Sequence, residues 1–174
     1  MNYHSIQRNN PDITEASEVI SVLMYLFKNH MQNTCELDLP VEDLVVELEE
    51  QGFEDDAIGK AFDWLEAMQE LQSADMQYTL INHQARRVYT AQELAHIDQA
   101  SLAFLADLCQ KNIVTPVDHE AIINLSLLLE INLITLPITK WIVMMVLFNN
   151  PNSREALAHV EALVLNETES QEAH

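Results

Sequence analysis

Apolar residues in the first third of the chain recur at helical spacing in three blocks separated by polar breaks. Val19, Ile20, Val22, Leu23, Met24, Leu26 and Phe27 form a stripe too wide for a surface helix, which predicts a largely buried helix over residues 17–30. The residues before it are polar, with Asn9-Asn10-Pro11 in sequence, and read as a flexible tail over 1–16. Val41, Leu44, Val45 and Leu48 follow the i, i+3, i+4, i+7 template of a second helix. Pro40 suits its first turn, Glu42 and Asp43 complement its dipole, and Gly52 supplies its stop. A third helix starting near Glu54 buries Ile58, Ala61, Phe62 and Leu65 and leaves Trp64 at the stripe's edge beside Ala57 and Met68.

The period then changes. Met76, Tyr78 and Leu80 alternate with Gln77 and Thr79, residues 86–89 form a second extended run, and Asn82-His83-Gln84 lies between them. Alternation interrupted by turn residues predicts a short β-hairpin. Three helices followed by a hairpin is the element order of a winged-helix domain. Beyond it, Thr90-Ala91-Gln92-Glu93 has the form of a capping box opening a helix to about Gln110, with Leu94, Ile97, Phe104, Leu105 and Leu108 inward. Thr115-Pro116 opens another, carrying Ile122, Ile123, Leu125 and Leu129. Every residue from 141 to 148 is apolar, which predicts a buried central helix following Pro137 and ending at Asn149-Asn150-Pro151. Asn152 and Glu155 can cap a last helix with Leu157, Val160, Leu163 and Val164 on one stripe. The expected fold is mainly α. A three-helix, winged-helix-like half with a short β-hairpin (17–89) packs with a C-terminal helical half (90–166), and a second flexible tail covers 167–174.

Composition narrows the function classes. With 174 residues the chain fits one domain or two small subdomains sharing a core, and 48% apolar residues are a folding composition. Two glycines in the whole chain leave no phosphate-cradling loop, and no cofactor is expected. Eight Lys and Arg against 28 Asp and Glu give a net charge of −20, a field that repels phosphate backbones and anionic membranes and favours basic partners. The apolar run at 141–148 is far shorter than the roughly 20 residues of a membrane span. No basic region followed by an apolar run marks the N-terminus, so a cytoplasmic protein is expected. Cys35 and Cys109, without a CxxC pair, read as reduced thiols, with a single disulfide as the alternative.

Four stretches carry a resemblance. VLMYLF (22–27), GFEDDAIGKAFDWLE (52–66), RVYTAQELAHID (87–98) and KWIVMMVLFNNP (140–151), in this order and spacing, resemble the bacterial Smg family over nearly the whole chain after the first 17 residues. The resemblance implies a helical, cytoplasmic protein with no catalytic residues to carry over. Because family members are often encoded near a DNA-processing protein of the Smf type, it also implies a setting in DNA handling. Two features depart from the family pattern. One is the polar N-terminal tail, and the other is Leu136-Pro137-Ile138-Thr139, which stands where an acidic pair more usually precedes the Lys-Trp.

Candidate chemistry is sparse. His96 and Asp98 are two apart on a helix and share no face, no HExxH occurs, and Asp118-His119-Glu120 reads as a solvated first turn. Glu54-Asp55-Asp56 lacks the loop spacing of a calcium site, so no metal is expected. Cys35 has no assignable base and no serine sits in an elbow motif, so no catalytic residue is named and a non-enzymatic protein is expected. GFEDDAIGKAFDWLE reads like the second half of a helix-turn-helix, yet from Glu54 to Glu70 the outer face of that helix sets Glu54, Asp55, Asp56, Asp63, Glu66 and Glu70 against Lys60 alone. Duplex binding rests on neutralising phosphates, and this face repels them. Asp55, Asp56, Asp63, Trp64 and Glu66 are therefore the candidate surface for a protein partner with a basic surface. The plainer reading makes the acids a solubilising face and Trp64 a core residue. Two alternatives stay open: DNA contact through the adjacent pair Arg86 and Arg87 on the hairpin, and an enzyme whose site the sequence conceals.

Overall fold

A computed structural model describes residues 11–31, 37–74 and 88–149. The chain is mainly helical: α1 (Pro11–His30), α2 (Val41–Glu50), α3 (Asp55–Ala74), α4 (Ala91–His96), α5 (Gln99–Gln110), α6 (Pro116–Leu128) and α7 (Leu136–Asn149). Among the described residues there is no strand, only an isolated parallel bridge between Ile97 and Ile134. The expected hairpin lies almost wholly at 75–87, outside the described residues, and Val88 and Tyr89 have irregular backbone. Among the described residues the winged-helix comparison has no strand to rest on. The last expected helix, over 152–166, also falls outside the described residues.

Backbone contacts divide the chain into two compact units, one running to Glu66 and including Leu129–Asn132, the other comprising Ala67–Leu128 and the chain from Leu133 onward. In the first unit α1 begins at Pro11 rather than near Ser17. Proline has a helical φ and needs no N–H partner in a first turn, so Pro11 opens the helix where a tail was expected. Val19, Val22, Leu23 and Leu26 of α1 and Leu44 and Leu48 of α2 are buried. Val41, expected inward, is 47% exposed, because the buried side of this ten-residue helix narrows to Leu44 and Leu48. Gly52 ends α2 as the sequence predicts. At φ 90° it is left-handed, and the N–H groups of Gly52 and Phe53 donate to Glu49 and Leu48 at 2.9 and 3.2 Å, satisfying carbonyls the helix leaves free. Asn112, at φ 56°, closes α5 in the same way through Cys109 and Leu108.

In the second unit α6 packs on α7, α5 contacts both, and α4 lies on α6. The capping box at Thr90 forms as predicted: Glu93 N–H donates to Thr90 Oγ1 at 3.2 Å and Thr90 N–H donates to Glu93 Oε2 at 2.7 Å. The long helix expected from there to Gln110 is broken at Ile97. Ile97 is extended, its neighbours exchange hydrogen bonds with Ile134 (Ile134 N–H to His96 O, 2.6 Å; Asp98 N–H to Ile134 O, 3.0 Å), and Asp98 caps a fresh helix by accepting from Ser101 N–H at 2.6 Å. The break re-aims α4 and leaves Leu94, expected inward, 56% exposed. α7 buries Ile142, Val143, Met145, Val146 and Leu147, whereas Trp141, Met144 and Phe148 are half-buried.

Candidate functional site

The outer face of α3 starts from a tied helix end. The Glu54 carbonyl accepts from Ile58 N–H at 3.0 Å, and its own N–H donates to Glu18 Oε1 of α1 at 3.0 Å. Asp55 and Asp56 occupy the first turn, where the dipole favours them. With 100° per residue, Asp55, Asp56, Asp63, Glu66 and Glu70 fall on one arc, and all are exposed. The opposite arc carries the buried Ala57, Ile58, Ala61, Trp64, Leu65 and Met68. Lys60, the only cation in α3, pairs with Asp56 at 2.8 Å across one turn. Such an exposed pair contributes about 0.3–0.5 kcal/mol and leaves the arc strongly negative. Gly59 lies on the same arc with nothing within 4 Å of where a Cβ would stand.

Trp64 does not share this surface. It is 2% exposed and belongs to the interior, on the side of Ala57 and Met68 that the sequence marked as the stripe's edge. Arg86, Arg87 and Cys35 lie outside the described residues. Cys109 is half-buried, and burial together with the Asp118 charge pushes its thiol up, which keeps it protonated and a poor nucleophile.

Asp118 and His119, expected in a solvated turn, are buried at 4% and 7% exposure. Asp118 forms the reciprocal half of a cap on Thr115: its N–H donates to Thr115 Oγ1 at 3.1 Å, and its Oδ2 accepts from Thr115 N–H at 3.1 Å and from the Thr115 hydroxyl at 2.7 Å. A carboxylate with that many donors can leave water. His119 Nε2 lies 3.0 Å from the Tyr89 hydroxyl, with the two rings edge to face. Among the described residues no group of three or more His, Cys, Asp or Glu could hold a metal ion.

One polar cluster was invisible in the sequence. His30 Nδ1 lies 2.7 Å from Asp38 Oδ1 and its Nε2 lies 3.1 Å from Glu47 Oε1, which also accepts from the Tyr25 hydroxyl at 2.6 Å. Burial pulls the imidazole down, but hydrogen bonds to Asp38 and Glu47 and the charges of those carboxylates outweigh it and raise His30 above its ordinary 6.5. The Tyr25 hydrogen bond and then the His30 one hold Glu47 below its ordinary 4.5. The cluster ties the end of α1 to α2 and to the segment that joins them. Each ring nitrogen is committed to a different carboxylate, so the group staples backbone and offers no open coordination point.

The arc is thus an exposed negative surface on a helix whose other side is core. Comparisons place the chain. Residues 19–174 match a family described as "Protein of unknown function (DUF494)". The chain is 41% identical over 150 residues to a "Protein Smg homolog" of Coxiella burnetii, covering 86% of this chain and 94% of that one. A protein of the same name from Nitrosococcus oceani is 37% identical over 149 residues (86% and 94%), and one from Shewanella denitrificans 35% over 153 (87% and 97%). No solved structure matches. The chain belongs to the Smg family. Among the described residues no helix is long and apolar enough to cross a membrane.

Proposed function

We propose that the protein is a non-enzymatic interaction or regulatory module of the cytoplasm, and that the outer face of α3 docks a partner protein through a basic surface on that partner. The observation that carries this reading is the one-sided charge of α3, where Asp55, Asp56, Asp63 and Glu66 are all exposed. A field of this sign raises the association rate of cationic surfaces and fades as salt screens it beyond about 8 Å at physiological strength. The resemblance to the Smg family implies a setting in DNA processing.

The test replaces Asp55, Asp63 and Glu66 by Lys, checks that the helical spectrum is unchanged, and repeats affinity purification at native expression. Loss of specific partners is expected. Retention of every partner would leave the arc a solubilising face. The second reading, DNA contact through Arg86 and Arg87, is favoured by the order of three helices ahead of that basic pair. Titration with duplex DNA at low salt decides it: no binding is expected, and appreciable affinity would put the two arginines at the centre.

A further inference from the structure

Ala67, Glu70 and Leu71 of α3 and Asn124, Leu127 and Leu128 of α6 line a groove of about 600 Å³ in the second unit, open to solvent along its length. Both walls repeat at i, i+3, i+4, so each helix turns one face of a single turn to the groove. Leu128 is 52% exposed, and Leu71 and Leu127 are half-buried. Single exposed leucines are ordinary, but three converging on one depression are not scattered.

We infer that this groove docks one face of a cationic amphipathic helix from a partner protein. The shape selects the occupant class. A small molecule needs most of its surface enclosed, which an open groove cannot supply, whereas a helix laid in a groove presents only its apolar anchors. Charge selects among helices. Glu70 sits exposed in the lining, and no Lys or Arg lines the groove. A second copy would bring another −20 and the same glutamate, so self-association is disfavoured. Lysines flanking an apolar stripe meet Glu70 while leucines fill the floor. The inference rests on the reading that the protein works by binding partners, but it uses other residues than Asp55, Asp63 and Glu66.

The probe is a fluorescent synthetic helix of about 18 residues, with Leu at i, i+3, i+4, i+7 and Lys elsewhere. The control peptide carries Glu in place of Lys. Both are titrated into the full chain by anisotropy, with leucine methyl signals followed by NMR. Saturable binding is expected, with shifts at Leu71, Leu127 and Leu128. The Glu peptide should bind at least tenfold more weakly, and Leu128→Gln, an exposed change that leaves melting intact, should cost about tenfold in affinity. Equal binding by Leu128→Gln, shifts confined to other leucines, or no saturable binding would overturn the inference. So would sedimentation showing a dimer that Leu128→Gln abolishes. The Asp55, Asp63 and Glu66 reversal separates the two readings. If it loses cellular partners while the peptide never enters the groove, the α3 face stands and the groove falls. If it keeps every partner while the methyl shifts persist, the groove stands and the α3 face falls.

Discussion

α3 and α7 solve opposite problems with the same backbone. α3 keeps carboxylates on one arc and Ala57, Ile58, Ala61, Trp64, Leu65 and Met68 on the other, so its polar positions state which way it turns. α7 has no such marker. Its residues 141–148 are apolar all round, and it buries even Thr139 and Lys140, the latter 6% exposed with its ammonium 5.6 Å from the centre of the Phe104 ring. Burial draws the Lys140 pKa down. The side of α7 left half-open, Trp141, Met144 and Phe148 at i, i+3, i+7, is set by packing against α5 and α6. An apolar helix announces that it is buried; only a polar one announces its orientation.

The largest expected effect tests the difference directly. Val143 is fully buried, and Val143→Asp places an unpaired charge there, at a cost on the order of 3–5 kcal/mol. Chemical denaturation or insolubility on expression reads it. Met144→Asp, on the half-open side of the same helix, should cost clearly less. Equal losses at the two positions would erase the orientation of α7.

Two substitutions should stabilise, one on each helix. Thr139 Oγ1 is buried and has no hydrogen-bond partner among the described residues, so Thr139→Val removes a stranded hydroxyl at constant shape and should gain about 1 kcal/mol. Gly59 sits mid-helix on the exposed arc of α3 with room for a Cβ, so Gly59→Ala should gain roughly 0.5–1 kcal/mol by restricting the unfolded chain. Melting temperatures check both. If Thr139→Val destabilises instead, the hydroxyl is contributing a contact worth more than its desolvation.

These contrasts show what the sequence made legible. Local chemistry was readable: the Thr90 and Glu93 box, the Gly52 stop and the acid arc each depend on residues within a few positions of one another. Contacts between distant segments were not. Ile97 continues a helical pattern, and only its bridge to Ile134 breaks that pattern and exposes Leu94. His30, Asp38 and Glu47 belong to separate segments with no shared period, so nothing local announced their cluster. Trp64 lay at the stripe's edge, where a 100° wheel cannot separate core from rim; its burial comes from the fold.

That cluster gives the region around α1 and α2 a pH signature of its own. His30, raised above 6.5, contributes stability that is full below that value and is lost as pH rises through its higher folded value. Glu47, held below 4.5, contributes stability that is full above that value and is lost as pH falls through its lower folded value. The two overlap most fully between pH 4.5 and 6.5. Protection of the α2 amides, taken relative to their intrinsic base-catalysed exchange, should be greatest in that window and fall above it, and His30→Gln should flatten the alkaline side. An unchanged alkaline slope in His30→Gln would place the titrating group elsewhere.

The smallest expected effect is the sharpest counterpart to Val143→Asp. Asp63→Lys reverses a full charge on α3, yet it should move stability by no more than about 0.5 kcal/mol. Asp63 is exposed, so the new ammonium keeps its water, and it stands beyond the first turn, where the helix dipole has faded. The chain also carries a net charge of −20, so a substitution adding two positive charges relieves self-repulsion, and the small shift should be favourable. Raising salt screens that repulsion in the parent chain, so the gain should shrink in high salt. A loss comparable to that of Val143→Asp would mean that Asp63 is buried by something in solution, and the charged arc of α3 would then be a covered interface instead of a free one.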